Sequence, residues 1–407
     1  MPDRKSSFAA LAKSALAPQE KLATVKSGNK SFFIGLPREI ALQEKRIPLT
    51  PDAVALLVAN GHEVWLETKA GEGSNFSDRE YSEAGAKIVH SPKEIYSADV
   101  ILKIEPPTLS EIELMKPGQT LISAIQLGHL EKDYITELLR KRVTALAYEF
   151  IEDKAGGMPV IRVLSEIAGI AAISVASQYL STAESGRGVV LGGVTGVPPT
   201  KMVIIGAGTV AENIARIALS MGAEIQIFDN HLYKLRRIKH LLGQQVYTST
   251  IDTIGLAETL KTADVVIGAL RAEKGRVRHV VSEEMVRQMR PGSVIIDLSI
   301  DQGGCIATSE ITTHHHPVFR KHEVIHYCVP NISSRVARTA TTALSNFFTP
   351  TILRASEEGG IDEVILRQNG YRKGVYTFKG SLTNEAVASR FGLKHKNIDL
   401  LIAARIG

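Results

Sequence analysis

Short apolar runs and amphipathic stretches alternate along this chain from residue 32 onward. In the first half the apolar runs have the length of buried strands, and helical patterns such as residues 133–142 separate them. In the second half further apolar runs follow, at 201–205, 224–228, 264–268, 293–298 and 324–328. Strands that alternate with helices build parallel sheets covered by helices on both faces. The pattern therefore predicts an α/β protein.

The segment 201–229 carries the most specific local pattern. An apolar strand runs into a turn with Gly206 and Gly208, a helical stretch follows, and a second strand ends at Asp229. The first glycine permits a tight turn, and the second lets a pyrophosphate approach the backbone at the helix N-terminus. Ala211 takes the place of the usual third glycine. The carboxylate is placed to bind a ribose 2′-hydroxyl and to repel a 2′-phosphate, so the pattern predicts an NAD site. A purely structural turn is the alternative.

Two further features predict the domain organisation. A long helix is predicted to begin near Ser165, and a Gly/Pro-rich hinge follows it before the second series of strands. Another long helix, predicted over 338–353, would carry the chain back to the first sheet. We therefore expect two Rossmann-like domains, each a mainly parallel sheet flanked by helices, with a cleft between them. The predicted parts are an N-terminal extension at 1–30, a substrate (catalytic) domain at 32–165 plus 345–407, and an NAD-binding domain at 166–344.

Composition narrows the functional classes. The 407 residues are 44% hydrophobic and 22% charged, as in ordinary globular proteins, and the net charge is only +5. The basic residues are scattered, so no nucleic-acid surface is predicted. Cys305 and Cys328 are the only cysteines, which favours a reducing compartment, and we expect a cytoplasmic protein. The chain shows neither a signal peptide nor an unbroken apolar run of about 18 residues, so no membrane association is expected.

Several segments of the chain resemble the alanine dehydrogenase family, which shares its fold with a transhydrogenase component. These segments are GLPREI and EKRIPLTP within 35–51, LSEIAG at 164–169, GRGVVLGGVTGVPP at 186–199, PGSVIIDLSIDQGGC at 291–305 and YCVPNISSRVARTAT at 327–341. The resemblance implies oxidative deamination of L-alanine with NAD, yielding pyruvate and ammonium. It also implies a small amino acid or 2-oxo acid as substrate and a homo-oligomer, either a hexamer or a dimer.

The resemblance also implies roles for individual residues. Arg46 matches the arginine that binds the substrate carboxylate, a role that suits the fork of a guanidinium. Asp301, just after the strand 293–298, matches an aspartate that orients water and the substrate amine or nicotinamide ribose. A solvated loop arginine and an Asx-turn are the respective structural alternatives. The residues expected to bind the cofactor are Ser165, Gly206, Gly208, Thr209, Val210, Asp229, Lys234, Leu270, Leu298 and Asn331.

Two positions depart from the family at its catalytic centre. Lys103 matches the first of two lysines in a strand, but the second, catalytic lysine is replaced by Glu105. The catalytic histidine is replaced by Gln126, and an amide cannot act as an acid or base near neutral pH. We expect Lys103 either to reach the substrate or to pair with Glu105, and alanine turnover to be low. His129 is a second residue that could compensate for the lost histidine, and an ordinary loop histidine is the alternative that we favour.

Two further stretches invite interpretation. The loop at 270–276 is charged where the family has an apolar loop beside the nicotinamide, so the docking of the cofactor there is open. His314, His315 and His316 are adjacent but lack further ligands at metal-site spacing, so we predict a loop and no metal.

Three functional hypotheses follow. The first is an alanine-dehydrogenase-type enzyme, which Glu105 and Gln126 disfavour. The second is an NAD-binding homologue without turnover, which the presence of Arg46 and Asp301 disfavours. The third is a dehydrogenase with a changed substrate, such as one with a positive group that Glu105 would attract. Overall resemblance favours the first hypothesis.

Overall fold

The structure is a computed structural model that describes residues 30–41, 43–127, 130–271 and 277–406. The predicted N-terminal extension lies outside these ranges apart from Lys30. Within the described residues the chain forms two mainly parallel sheets, one of eight strands and one of seven. The predicted α/β class with two helix-flanked sheets is confirmed.

The first sheet is built from both ends of the chain. Its strand order is β15-β14-β6-β5-β4-β1-β2-β3. The pairs that involve β14 are antiparallel, and the other pairs are parallel. The strands are β1 (Phe33–Leu36), β2 (Glu63–Glu67), β3 (Lys87–Val89), β4 (Val100–Leu102), β5 (Thr120–Ser123), β6 (Thr144–Ala147), β14 (Val375–Phe378) and β15 (Ser381–Leu382).

The second sheet has the order β12-β13-β11-β10-β7-β8-β9. Only the edge pair β12–β13 is antiparallel. The strands are β7 (Lys201–Ile205), β8 (Glu224–Phe228), β9 (Tyr247–Ser249), β10 (Val265–Gly268), β11 (Val294–Asp297), β12 (Val318–Lys321) and β13 (Val324–Tyr327). The five strands predicted in this half all form, with ends that agree to within one residue.

Helices cover both sheets and enclose four apolar clusters on their faces. The helices are α1 (Pro51–Ala59), α2 (Asp78–Glu83), α3 (Pro92–Ile95), α4 (Leu109–Leu114), α5 (Lys132–Arg140), α6 (Pro159–Leu180), α7 (Thr209–Ser220), α8 (Leu232–Leu242), α9 (Thr253–Leu260), α10 (Glu283–Arg287), α11 (Ala337–Glu357), α12 (Ile361–Arg367), α13 (Asn369–Arg372), α14 (Glu385–Phe391) and α15 (Ile398–Ile406).

Both long helices extend beyond their predicted limits. Helix α6 begins at Pro159 rather than near Ser165, because proline is well suited to the first turn of a helix, where its missing N–H is not needed. Helix α11 runs to Glu357, past the predicted end at residue 353, since its last turn is polar and shows little apolar periodicity. Pro350 lies inside this helix and does not end it.

Helix α6 connects the two halves of the molecule. It packs against α7 of the second sheet and against α11, which returns the chain to the first sheet. Its length and apolar composition alone would be compatible with a membrane span. Core helices of globular proteins have the same character, and the packing of α6 on two other helices is of that kind.

Candidate active site

The loops that follow strands β7, β8, β10 and β11 lie at the carboxyl ends of the parallel strands of the second sheet. Gly206, Asp229, Leu270 and Leu298 occupy these loops. The loops are tied together by the backbone, as where Leu298 N donates to Gly268 O over 2.8 Å. Ligands of open parallel sheets bind at the carboxyl ends of the strands. The structure thus brings four of the expected cofactor-binding residues to the edge where a nucleotide would bind.

Gly206 makes the tight turn after β7 possible. Its φ of +116° lies in the region that favours glycine, and an added Cβ would lie 2.4 Å from Ala269 O. Both backbone conformation and space therefore exclude a side chain at this position.

The N-terminus of α7 has the features of a pyrophosphate site. Gly208 is the N-cap and offers no side-chain acceptor to the first turn, which begins with Thr209 and Val210. The first N–H groups of a helix have no partner within the helix and attract anions. A Cβ added to Gly208 would meet no atom within 4 Å, so there is open space in front of these donors. The residues present fit the pyrophosphate of NAD.

Asp229 is buried at the end of β8 and holds the glycine turn in place. Its Oδ2 accepts from Ala207 N over 2.9 Å. Its Oδ1 accepts from His231 N over 2.8 Å and lies 2.9 Å from His231 Nδ1. Lys234 follows, half-buried on α8. The carboxylate is therefore fixed beside the glycine turn.

Asp301 lies in the 3-10 helix Ile300–Gln302 that follows β11, and its side chain is exposed. The buried carboxylate of Asp297 fixes the loop around Asp301 through hydrogen bonds. The sequence pattern did not single out Asp297. Its carboxylate accepts from Ser309 Oγ over 2.8 Å and from Cys305 N over 3.0 Å. Burial raises the pKa of Asp297. An acid at the end of an apolar strand was the available signal.

The two remaining cofactor-binding candidates lie where the second sheet approaches α6. Ser165 is half-buried on α6, and Asn331 precedes the 3-10 helix Ile332–Val336. Ser333 Oγ donates to Leu164 O over 3.3 Å, so the two segments adjoin.

Arg46 is buried and bound by an acid that sequence reasoning missed. Its Nε and Nη2 donate to the two carboxylate oxygens of Glu44 over 2.7 and 2.6 Å. Nη2 also lies 3.4 Å from Glu105 Oε1. Burial opposes the ionisation of Glu44, but its ion pair with Arg46 holds the pKa of Glu44 well below the usual range. The alternating charges of this loop were the only signal for the pair.

Contacts of Glu44 and its neighbours attach the Arg46 loop to the second half of the molecule. Asn331 Nδ2 donates to Glu44 Oε2 over 3.2 Å. Lys45 N donates to Ser334 Oγ over 2.8 Å. The loop that carries the guanidinium is thus held against the segment after β13.

Lys103 pairs with two acids other than Glu105. Its side chain is 1% exposed, and Nζ lies 2.8 Å from Glu111 Oε1 and 3.3 Å from Glu39 Oε2. Strand β4 ends at Leu102, so the alternation that would place Lys103 and Glu105 on one face does not continue. The expected pairing of Lys103 with Glu105 is wrong, and the ammonium group is buried among carboxylates.

Glu39 is a further acid that the sequence pattern did not single out. Its Oε1 accepts from Ile104 N over 2.6 Å, and its Oε2 lies 3.4 Å from Glu105 N. Burial raises the pKa of Glu39 to about 7, while the ammonium of Lys103 opposes this shift. Glu39 therefore fixes the backbone on which Glu105 lies.

Glu105 and Gln126 are brought into direct contact. Gln126 Nε2 donates to Glu105 Oε2, and both residues line a cavity of about 280 Å³. Gln126 has a φ of +47°, which is uncommon for a residue other than glycine. Glu149 Oε1 stabilises this bend by accepting from Ile125 N over 2.8 Å and from Gln126 N over 3.3 Å.

The electrostatic surroundings of Glu105 favour its neutral form. Burial raises its pKa, and the neighbouring carboxylate of Glu44 raises it further. The guanidinium of Arg46 opposes these effects but is itself neutralised by Glu44. The pKa of Glu105 consequently lies well above the ordinary value of a glutamate.

Other predicted features contribute less to this picture. His129 and most of the charged loop, residues 272–276, lie outside the described residues. His314 N donates to Gln43 Oε1, so the triple-histidine loop is packed against the Arg46 loop. Among the described residues no group of three or more histidine, cysteine or acidic side chains is arranged to hold a metal ion.

Comparison with known families matches both halves of the chain. The model of the alanine dehydrogenase/PNT N-terminal domain matches residues 35–168, and that of the C-terminal domain matches residues 172–385. An alanine dehydrogenase from Methanococcus maripaludis is 40% identical over 366 residues, which is 89% of this chain and 98% of the relative. One from Mycolicibacterium smegmatis is 38% identical over 89% of this chain and 97% of its own length.

Solved structures show the same similarity. An L-alanine dehydrogenase superposes with a TM-score of 0.81 at 36% identity, covering 88% of this chain and 99% of that one. A transhydrogenase from Sinorhizobium meliloti superposes with a TM-score of 0.73 at 23% identity, covering 87% of this chain and 99% of that one, and shares the fold.

Proposed function

Because this chain belongs to the alanine dehydrogenase/PNT family, we propose that it is an NAD-dependent oxidoreductase that deaminates L-alanine to pyruvate and ammonium. The relatives at 38–40% identity span nearly all of the chain and do not favour the alternative of an NAD-binding homologue with a changed substrate or without turnover.

One observation carries the proposal: the Arg46 loop is bonded directly to the nucleotide-binding half of the molecule. Asn331 of that half donates to Glu44, and Glu44 binds the guanidinium of Arg46 bidentately. A group that suits a carboxylate is thus held next to Asn331, one of the residues expected to bind NAD. Reaction of an amino acid with a nicotinamide requires this proximity.

We assign each group of residues a role in binding the cofactor or the substrate. The turn at Gly206–Gly208, the first turn of α7 and Asp229 would hold the pyrophosphate and ribose of NAD, which supplies the acceptor for the hydride from the substrate carbon. Arg46 would orient the substrate through its carboxylate. Glu44 occupies Nε and Nη2 of the guanidinium, and no contact among the described residues engages Nη1. Asp301, exposed at the same edge, would orient water or the amine.

The proposal is tested by the absorbance of reduced nicotinamide when the protein is mixed with NAD and each of a panel of amino acids. We expect L-alanine to give NADH, and pyruvate with ammonium to consume it. Arg46→Lys should lower kcat/KM about 10- to 100-fold, because it removes a charge-assisted hydrogen bond. Arg79→Lys, which changes an exposed arginine, is the control. NADH formation from other amino acids but not from L-alanine would refute this substrate.

We further propose that the protein is a homo-oligomer. The apolar side chains of Val190, Val194 and Val197 are exposed on the loop between α6 and β7, and Ile170 is exposed on α6. Exposed apolar side chains of this kind on the second half of the molecule are suited to contact with a second copy. The two free, buried cysteines also support a cytoplasmic location.

A further inference from the structure

Hydrolysis of the imine produced in amino-acid deamination requires a group that can both accept and donate a proton. The attacking water must lose a proton, and the departing nitrogen must gain one. Gln126 occupies the position of the family histidine and can do neither. The inference below rests on the proposed function and concerns which residue performs this transfer.

The cavity of about 280 Å³ at the ends of β4 and β5 contains one suitable buried group among the described residues. Glu105, Gln126 and Tyr134 present polar atoms in its lining, together with Thr108 and Glu131. Tyr134 Oη is 2.9 Å from Tyr376 Oη, and burial raises the pKa of Tyr134 above its usual value, which excludes it as a base. Glu131 is exposed, so its carboxylate lacks the burial that would raise its pKa toward the working pH.

The contacts of Glu105 hold its carboxyl group in place without locking it into a strong ion pair. Gln126 Nε2 donates to Oε2, and Arg46 Nη2 lies 3.4 Å from Oε1. The closer partner of Arg46 is Glu44, at 2.6 Å. A carboxyl group in this arrangement can change its protonation state without breaking a close salt bridge.

We propose that Glu105 is the proton-transfer residue of this active site, taking over the role that a histidine plays elsewhere in the family. Gln126 is a positioning residue, because its amide fixes Oε2 while Glu149 fixes the Gln126 backbone. The replacement of lysine by glutamate and that of histidine by glutamine are then one coordinated change.

The water oxygen forms a bond to the carbon of the protonated imine, and the electron pair of the carbon–nitrogen π bond moves to nitrogen. One water proton moves to the Glu105 carboxylate. The same proton then moves from Glu105 to the nitrogen of the carbinolamine. The carbon–nitrogen bond breaks with its electron pair on nitrogen, the remaining hydroxyl proton leaves with the nitrogen as ammonium, and the carbonyl of the oxo acid forms. Glu105 returns to its ionised state.

The groups that face Glu105 set the pH at which it can act. Glu44 and Glu39 raise its pKa along with burial, and Arg46 lowers it. Tyr148, whose own pKa is raised well above the usual value, stays neutral. An acid–base catalyst works best with a pKa near the working pH, and the upward shift moves this carboxyl in that direction. Because the ionised form accepts the proton, alanine oxidation should rise with pH as Glu105 ionises, and reductive amination should fall.

The first test is the isosteric variant Glu105→Gln in the full-length protein. We expect kcat for alanine oxidation to fall about 10²- to 10⁴-fold. The inflection that the ionisation of Glu105 produces in the pH profile of kcat should vanish. The dissociation constant of NAD, measured by calorimetry, should not change. Glu113→Gln, on the exposed side of α4, is the matched control and should keep both the rate and the profile.

A second variant separates proton transfer from a structural role. In Glu105→Ala, added formate should restore part of the activity in proportion to its concentration, since a small carboxylate can enter the vacated space. A purely structural role for Glu105 predicts no rescue. In carbon-13 NMR of labelled glutamates, one of the carboxyl signals with a raised pKa in the wild type should be missing from Glu105→Gln.

The outcomes distinguish the two proposals. If the wild-type protein forms no NADH from alanine between about pH 6 and pH 10, the proposed function is wrong. If it does turn over, and Glu105→Gln matches it in rate and pH profile, the assignment of Glu105 is overturned while the function stands. Formate rescue together with the loss of the inflection supports both.

Discussion

The Asp229 carboxylate holds the glycine turn in place and is also our proposed partner for the ribose of NAD. It accepts hydrogen bonds from Ala207 N and His231 N, and so connects the glycine turn to the start of α8. Each carboxylate oxygen has two acceptor sites, so ribose hydroxyls can still bind. A phosphate at the same place would meet a buried negative charge.

From this geometry we predict that the protein binds NAD at least about tenfold more tightly than NADP. Two unit charges about 4 Å apart repel by roughly 4 kcal/mol at an effective dielectric constant of 20, and tenfold in affinity corresponds to about 1.4 kcal/mol. Calorimetric titration with both nucleotides measures the difference. Asp229→Asn should reduce it, whereas Glu258→Gln, at an exposed position of α9, should not. Equal or tighter binding of NADP by the wild type would contradict this prediction.

The glutamate at position 105 illustrates a limit of reading single residues. Its replacement of a lysine is visible in the sequence, and it suggests repulsion of a substrate carboxylate. The partners that change this interpretation, Glu44 and Gln126, are distant in the chain from Glu105 or fall on other loops. Only folding brings both residues next to Glu105, where burial and the carboxylate of Glu44 raise its pKa and the amide of Gln126 holds Oε2.

At the scale of elements, the turn between β7 and α7 contains two glycines with different physical roles. A Cβ at Gly206 would lie 2.4 Å from Ala269 O, so this glycine is needed by the fold itself. Gly208 has an extended backbone, and a Cβ there would meet nothing within 4 Å. The protein itself therefore leaves room for a side chain at position 208. We infer that glycine is needed there because a bound pyrophosphate would occupy that space.

The contrast predicts opposite outcomes for two substitutions. Gly208→Val should change the Tm of the ligand-free protein by less than about 2 °C and weaken NAD binding at least about tenfold, because the side chain fills the space of the pyrophosphate. Gly206→Ala should destabilise the ligand-free protein by about 1–3 kcal/mol through overlap with the neighbouring backbone. Thermal unfolding and calorimetry measure the two effects. Unchanged NAD affinity in Gly208→Val would place the pyrophosphate elsewhere.

At the scale of the whole molecule, α6 and α11 join two sheets that would otherwise be separate. Both helices pack against each other, and α11 carries the chain back to strands β14 and β15 of the first sheet. The outer surface of the second half still carries exposed valines between α6 and β7. We propose that a second copy of the chain buries that surface.

Light scattering at micromolar concentration tests this assembly. We predict a mass that is a multiple of the 44.1 kDa chain. The double variant Val194→Asp with Val197→Asp should lower that mass, because it places charge on side chains that are 53% and 59% exposed in the single chain. Ile254→Asp, an exposed apolar position on α9, should leave it unchanged. A monomeric wild-type protein would refute the proposal.

Much of the fold could be predicted because it depends on local patterns. The strands around 201–228 were predicted to the residue, since apolar runs bounded by glycine and acidic residues define their own ends. The start of α6 at Pro159 was missed, because apolar periodicity is weak in its first turn. The same holds for the candidate site. The glycine turn follows from a short run of sequence, whereas the ion pairs of Lys103 with Glu39 and Glu111 depend on how separate segments pack.

The sequence by itself determined the α/β class, the glycine turn before α7 and the presence of Arg46, Glu105 and Gln126. These depend on residue type and on spacing along the chain, which folding does not alter. The tertiary structure decided which charges meet. It buried Lys103 among acids, bound Arg46 to Glu44 and placed Glu105 against Gln126. Burial and neighbouring charges set the pKa of a carboxyl group, and both exist only once distant segments have packed together.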